Sequence, residues 1–181
     1  TITYLSDIGC LEIQGASLQG AESMLIIIMT RDRYLEYGLM RILSGYQVTT
    51  GRELFNAGKQ RQSLPEDSYV ILCDRNLERL TYSMFCGRRF LVIPVSSVRC
   101  LTDIRQTIRR GAWLFGHTAR PLTRTEMVVV FGVVFHDYGF TFLADRLGIT
   151  MKTVCAHLYN AMEKNGMRGV SIKYLCNTID R

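Results

Sequence analysis

Between Met24 and about Gly116 the chain alternates short apolar runs with longer amphipathic stretches, and this alternation limits the fold more than any single motif does. LIIIM (25–29) precedes RYLEYGLMRILS, YQVTT (46–50) precedes RELFNAGKQRQ, YVILC (69–73) precedes RNLERLTYSMF, RFLVIPV (89–95) precedes CLTDIRQTIRR, and AWLF (112–115) closes the series. A strand that is apolar at nearly every position must be covered on both faces, whereas one that alternates apolar and polar shows one face to water. The runs therefore predict a doubly wound α/β unit, a parallel sheet of about five strands with four helices. The helix that should follow the fifth strand is missing, because Pro121 and a new pattern begin almost at once.

That second pattern is purely helical: TRTEMVVVFGVVF, FTFLADRLG, MKTVCAHLYNAMEKN and GVSIKYLCNTI, broken at Gly139, Gly148 and Gly166. Four short helices joined by such brief turns predict a compact bundle of about 60 residues, at the small end of the domain range. The organisation expected is an α/β domain over 24–116, a linker HTARP at 117–121 and an all-α domain over 122–181. Residues 1–23 lack an initiator Met, a basic start and an apolar core, so they read as an N-terminal extension or cloning remnant, with Met24 a candidate natural start. RTEMVVVFGVVF carries too many apolar positions for a one-sided surface helix and is expected to be the bundle's central core element. Neither it nor MLIIIM (24–29) is long enough to span a bilayer, so no membrane anchor is expected.

Composition narrows the function classes. Hydrophobic residues make up 48% of the 181, ample for a folded core. Cys10, Cys73, Cys86, Cys100, Cys155 and Cys176 fall at wide, unpatterned spacings with no C-x-x-C pair, which argues against zinc and against a disulfide scaffold. Free thiols set in apolar runs suit a reducing cytoplasm. The net charge of +6 favours polyanions as partners, weakly when taken alone. After the first strand, TRDRYLEYG offers no Gly-rich or Ser/Thr-rich loop to cradle a phosphate, and no Cys-His or Ser-His-Asp set is apparent. No enzyme, cofactor or metal is expected.

The sharper signal lies in FTFLADRLGITMKTVCAHLYNAMEK. Phe142 or Leu143, Ala144, Leu147 and Ile149 would pack inward, Gly148 precedes a tight turn, and Thr150 can cap a helix that begins near Met151. That helix would bury Val154, Leu158, Ala161 and Met162 at i, i+4, i+7 and i+8. Lys152, Cys155, Ala156, Tyr159 and Lys164 are left on its other faces. A helix docked in the major groove needs this division, with one face held to its bundle and one free to approach base edges and phosphates.

LTRTEM (122–127), followed by LADRLGITMKTVCAHLYNAMEKNGMR, resembles the LuxR-type (FixJ/NarL) helix-turn-helix domain of bacterial transcription regulators. The agreement runs through Leu122, Thr123 and Glu126, then Ala144, Leu147 and Ile149, the Thr153-Val154 pair, and His157, Asn160 and Lys164. It departs at Thr125, where the family usually has Arg, at Phe140-Thr141-Phe142, where it has polar and acidic residues, and near Phe135 and His136, where about one residue of slippage is needed. The resemblance implies double-stranded DNA as partner, with Cys155, Ala156 and Tyr159 facing bases and Lys152, Thr153, Asn160 and Lys164 as phosphate or framework contacts. Many members have Lys where this chain has Cys155, so reading here would lean on thymine methyls or DNA shape rather than on bidentate bonds to guanine. Modest intrinsic specificity favours a homodimer or heterodimer, because two weak half-sites add their free energies.

Alternating strands ahead of such a domain resemble a response-regulator receiver, with MTRDRYLEYGLMRIL (29–43) at the place of its first strand and helix. Receivers need an acidic pair there to hold a hard cation that neutralises the phosphoryl group. This chain has Thr30 and Arg31, with only Asp32 nearby. Asp74 ends the third strand where the phosphoacceptor would lie, Ser96 and Ser97 follow the fourth near the switch hydroxyl, and Phe115 or Gly116 replaces the expected Lys. The reading is a degenerate receiver similar to that of the auxiliary regulators of enteric bacteria related to the capsule regulator RcsA, with Asp74 at most a vestigial phosphoacceptor. Plainer readings stand beside these. Asp74 can be a strand-end polar residue or helix N-cap, His157 a packing residue, Cys155 an inert thiol, and Arg105, Arg109 and Arg110 a solvated helix face or dimer surface. A co-regulator that works through another DNA-binding protein is the second function class.

Overall fold

The computed structural model describes residues 24–54, 68–111, 113–115 and 120–176, so the expectations for residues 1–23, for most of the linker and for 177–181 fall outside the described residues. Four parallel strands form the sheet: β1 (Met24–Met29), β2 (Val48–Thr50), β3 (Ser68–Cys73) and β4 (Arg89–Pro94), in the order β2-β1-β3-β4. β1 and β3 pair along their whole length, Met24 opposite Ser68 and Met29 opposite Cys73. Their continuous apolar runs divide cleanly between two faces, as strand geometry requires. Ile26, Ile28, Val70, Leu72, Leu91 and Ile93 point to one side, where Leu39 of α1 (Arg33–Ile42) and Ile104 of α4 (Leu101–Arg110) cover them. Leu25, Ile27, Met29, Tyr69, Ile71 and Phe90 point to the other, onto Leu80 and Met84 of α3 (Glu78–Met84). Of the second predicted helix, the described residues show one turn, α2 (Gly51–Leu54).

The fifth strand departs from expectation. β5 (Leu114–Phe115) pairs antiparallel to β4, Leu114 opposite Phe90 and Phe115 opposite Arg89. The ten residues of α4 rise about 15 Å, less than the roughly 20 Å of the six-residue β4, so the chain meets the sheet again before passing the start of β4. It joins there running the opposite way, and the Arg89 guanidinium stacks over Trp113 at 4.6 Å.

The C-terminal helices are α5 (Arg124–His136), α6 (Phe140–Leu147), α7 (Met151–Lys164) and the single turn α8 (Lys173–Cys176). Among the described residues, three full helices and one turn stand where four helices are expected. α5 starts in a reciprocal cap: Thr123 Oγ1 accepts from Glu126 N at 3.2 Å, and Glu126 Oε2 accepts from Thr123 N at 2.7 Å. Val129, Val130, Phe131, Gly132, Val134 and Phe135 are all buried. Such a helix needs apolar neighbours on every side. α5 has them because it packs on α7 on one side and on α2 on the other, and its side chains join one cluster with Met29, Tyr69 and Ile71 of the sheet. A Cβ on Gly51 would come within 2.7 Å of the Phe135 ring, so only glycine lets the ring lie there. α5 therefore serves as the bundle's core and also joins it, through α2, to the apolar cluster of the sheet.

Candidate nucleic-acid interface

The turn between α6 and α7 forms as the residues dictate. Gly148 closes α6 in the left-handed conformation at φ 65°, its N–H donating to the carbonyls of Ala144 and Asp145. Thr150 Oγ1 accepts from Thr153 N at 3.2 Å and so caps α7. Leu143 is the residue that packs inward, while Phe142 is 48% exposed. Along α7, Val154, Leu158, Ala161 and Met162 are buried against the bundle. Met151, Lys152, Cys155, Ala156, Tyr159 and Asn160 are exposed and form one continuous outer face.

Of the seven sequence-derived contact residues, this arrangement brings six to that face or its edge. Lys152, Tyr159 and Asn160 make no hydrogen bond or ion pair among the described residues, so their donors are available to a partner. Thr153 sits at the edge, half-buried, its hydroxyl 2.8 Å from that of Thr150. Lys164 stands apart. Its ammonium donates to Glu126 Oε2 at 2.8 Å and to the Pro121 carbonyl at 3.1 Å, with the Lys164 side chain only 22% exposed. Burial alone would raise the Glu126 pKa, but the bonds from Lys164 and Thr123 outweigh it and hold the carboxyl below its ordinary range. Lys164 is committed to the interior, tying the end of α7 to the start of α5. Arg168, which no sequence pattern singles out, is exposed and makes no hydrogen bond or ion pair among the described residues. It follows the break at Gly166, where helical periodicity no longer says which way a side chain points.

The second candidate position lies at the end of β3. Asp74 Oδ1 accepts from the Thr30 hydroxyl at 2.8 Å, and Oδ2 accepts from Arg31 N at 3.0 Å. Asp74 occupies the N-cap position of a 3-10 turn (Arg75–Leu77), yet its side chain makes no capping bond; it faces the end of β1 instead. Arg31 reaches away from it, donating to Asp137 Oδ1 at 2.8 Å and to the Cys176 carbonyl. Asn76 Nδ2 donates to the Tyr174 carbonyl at 2.9 Å, so two side chains from the sheet end hold α8. Arg52 reaches α5 instead, its guanidinium donating to the Phe135 carbonyl and lying 3.5 Å from Glu36. Ser97 donates to the Pro94 carbonyl at 2.7 Å, and Arg105 donates to the Tyr46 hydroxyl at 2.9 Å on an otherwise exposed face of α4. Among the described residues no three His, Cys, Asp or Glu side chains gather where they could hold a metal ion, and no helix is long and apolar enough to cross a membrane.

No family model matches the chain. Over 23 residues it is 87% identical to the uncharacterised protein YuaK of Escherichia coli (strain K12), a match that takes in 13% of this chain and only 24% of that protein. Among solved structures it is similar to a DNA complex of the two-component response regulator RcsB, with 16% identity over 86% of this chain and 100% of that one and a TM-score of 0.40. RcsB from Salmonella enterica serovar Typhimurium, bound to promoter rprA with a phosphomimetic, gives 15% identity over 86% and 100% of the two chains and a TM-score of 0.34.

Proposed function

We propose that the chain is a bacterial DNA-binding transcription regulator in which α7 is the recognition helix of a LuxR-type helix-turn-helix domain. The supporting observation is the division of α7 into a fully buried inner face and an outer face on which Lys152, Tyr159 and Asn160 keep uncommitted donors. An α-helix with its side chains is about 10–12 Å across and the major groove about 12 Å wide, so a helix with a free outer face can enter it. Cys155 and Ala156 contribute apolar contact, Tyr159 and Asn160 polar contact at the rim, and Lys152 a phosphate contact near the helix start. The domains proposed are a receiver-like unit over 24–116 and the DNA-binding unit over 122–181, joined through 117–121.

Control by phosphate on Asp74 does not fit this reading. Both carboxylate oxygens already accept protein donors, Thr30 and Arg31 stand where acidic ligands would be needed, and the neighbouring Arg31 and Asn76 are committed to α8. Activity independent of phosphorylation, in the cytoplasm and as a homodimer or heterodimer, follows as the working reading. The poverty of long donors on the outer face keeps a second one, a co-regulator held on promoters by another DNA-binding protein. Genome-wide crosslinking of the full chain, with and without Lys152→Ala plus Tyr159→Ala, separates the two. Discrete peaks lost in the variant mean direct readout by α7. Peaks that persist transfer the role to a partner.

A further inference from the structure

Beside the outer face of α7 lies a half-open cavity of about 330 Å³, between that helix and the loop formed by residues 167–172. Its volume falls at the lower end of the range for small-molecule sites. Leu158, Met162 and Met167 form the floor, each buried, while Val170 at the rim is 42% exposed. Among the described residues Arg168 is the single charged one lining it, and no acidic side chain stands in its walls. That guanidinium has no partner among the described residues. An apolar floor under an unpaired cation is complementary to one kind of molecule, a small aromatic body that carries an anionic group. Tyr159, 51% exposed, offers its ring as a further wall.

We infer that this cavity binds a small aromatic anion, carboxylate or sulfonate, with the ring over Met162 and Met167 and the acid on Arg168. Cys155 and Tyr159 line the cavity and also belong to the outer face of α7. An occupant therefore covers two of the three side chains assigned to base contact, and ligand and DNA exclude one another. The competition with DNA rests on the function proposed above; the site itself does not.

The probe is 8-anilinonaphthalene-1-sulfonate, an aromatic anion whose fluorescence rises on binding, titrated into the full chain. Saturable one-to-one binding is expected, weakened by at least about tenfold in Arg168→Glu, as loss of a charge-assisted contact implies. Arg109→Glu, the same charge change on the exposed side of α4, is the control and should bind as the parent does. In parallel, iodoacetamide labelling is followed peptide by peptide. The probe should slow labelling of Cys155 by at least about fivefold while exposed Cys100 reacts at its former rate, as occlusion of one thiol requires. Equal binding by the two charge variants, or unprotected Cys155, overturns the proposal. Circular dichroism of each variant shows that the fold is retained, and Val170→Asp, a second exposed rim change, must also weaken binding. Because these readouts contain no DNA, a failure of α7 to bind DNA leaves them intact, and a failure here leaves the DNA result intact.

Discussion

The outer face of α7 and the end of β3 both carry polar side chains at the mouth of a structural element, yet they are finished differently. On α7, Lys152, Tyr159 and Asn160 project with their hydrogen-bonding capacity unspent. At the end of β3, both oxygens of Asp74 accept from β1's continuation, and Arg31 and Asn76 spend their donors on α8. A surface meant for an external partner keeps donors exposed to water, which exchange at little cost on binding. A buried or fastened position satisfies them internally, since an unmet polar group costs about 1–3 kcal/mol. The difference separates a face left open to a partner from a position that the chain closes on itself.

That contrast can be broken at several points. The largest effect should come from Lys164→Ala, which strands the 4%-exposed Glu126 carboxylate and should cost about 3–5 kcal/mol in a urea melt. If Lys164 acted mainly on DNA, stability would barely move. Adding Glu126→Gln should recover part of the loss, because the orphan charge goes with it. Arg31→Ala should cost about 1–2 kcal/mol through the lost carbonyl contact, and amide exchange should speed up at 173–176 before it does in α7.

Lys152→Ala should leave stability unchanged while lowering DNA affinity several-fold and the salt slope by about 1, as removal of one phosphate contact does. A salt slope equal to the parent's would remove Lys152 from the interface. His136 tests the joint between the halves. Its Nε2 lies 3.0 Å from the Arg52 carbonyl, and burial outweighs that bond to hold its pKa below the ordinary 6.5. The unfolded chain therefore takes up its proton first as pH falls. The stabilisation is complete above about pH 6.5 and is lost as pH drops through the folded value. Urea melts near pH 7.5 and pH 5.5 should show a smaller pH dependence in His136→Gln than in the parent. Smallest of all, acetyl phosphate with Mg²⁺ should change DNA affinity by less than about twofold; a larger change would return Asp74 to a signalling role.

Much of this was legible in the residues. Continuous apolar runs announced the parallel strands, and 3.6-residue periodicity gave α7 its inner face, down to the Thr150 cap and the Gly148 turn. These are local signals. The pairs that decide the candidate site are not: Lys164 meets Glu126 across 38 residues, and Arg31 meets Cys176 across 145. Periodicity placed Lys164 off the buried face and could not say that a carboxylate waited there. The direction of β5 depends on where α4 hands the chain back to the sheet, a matter of length in space rather than of composition.

The double duty of α5 bears on how such a chain can change over evolutionary time. Recombination shuffles segments that bring a closed core with them, and one that begins near Pro121 does not. Grafted elsewhere, it would lose the cover that α2 gives Phe135 unless the new host offered a glycine like Gly51 to receive the ring. The helical segment is in this sense not portable, and its history is tied to that of the α2 turn it packs against.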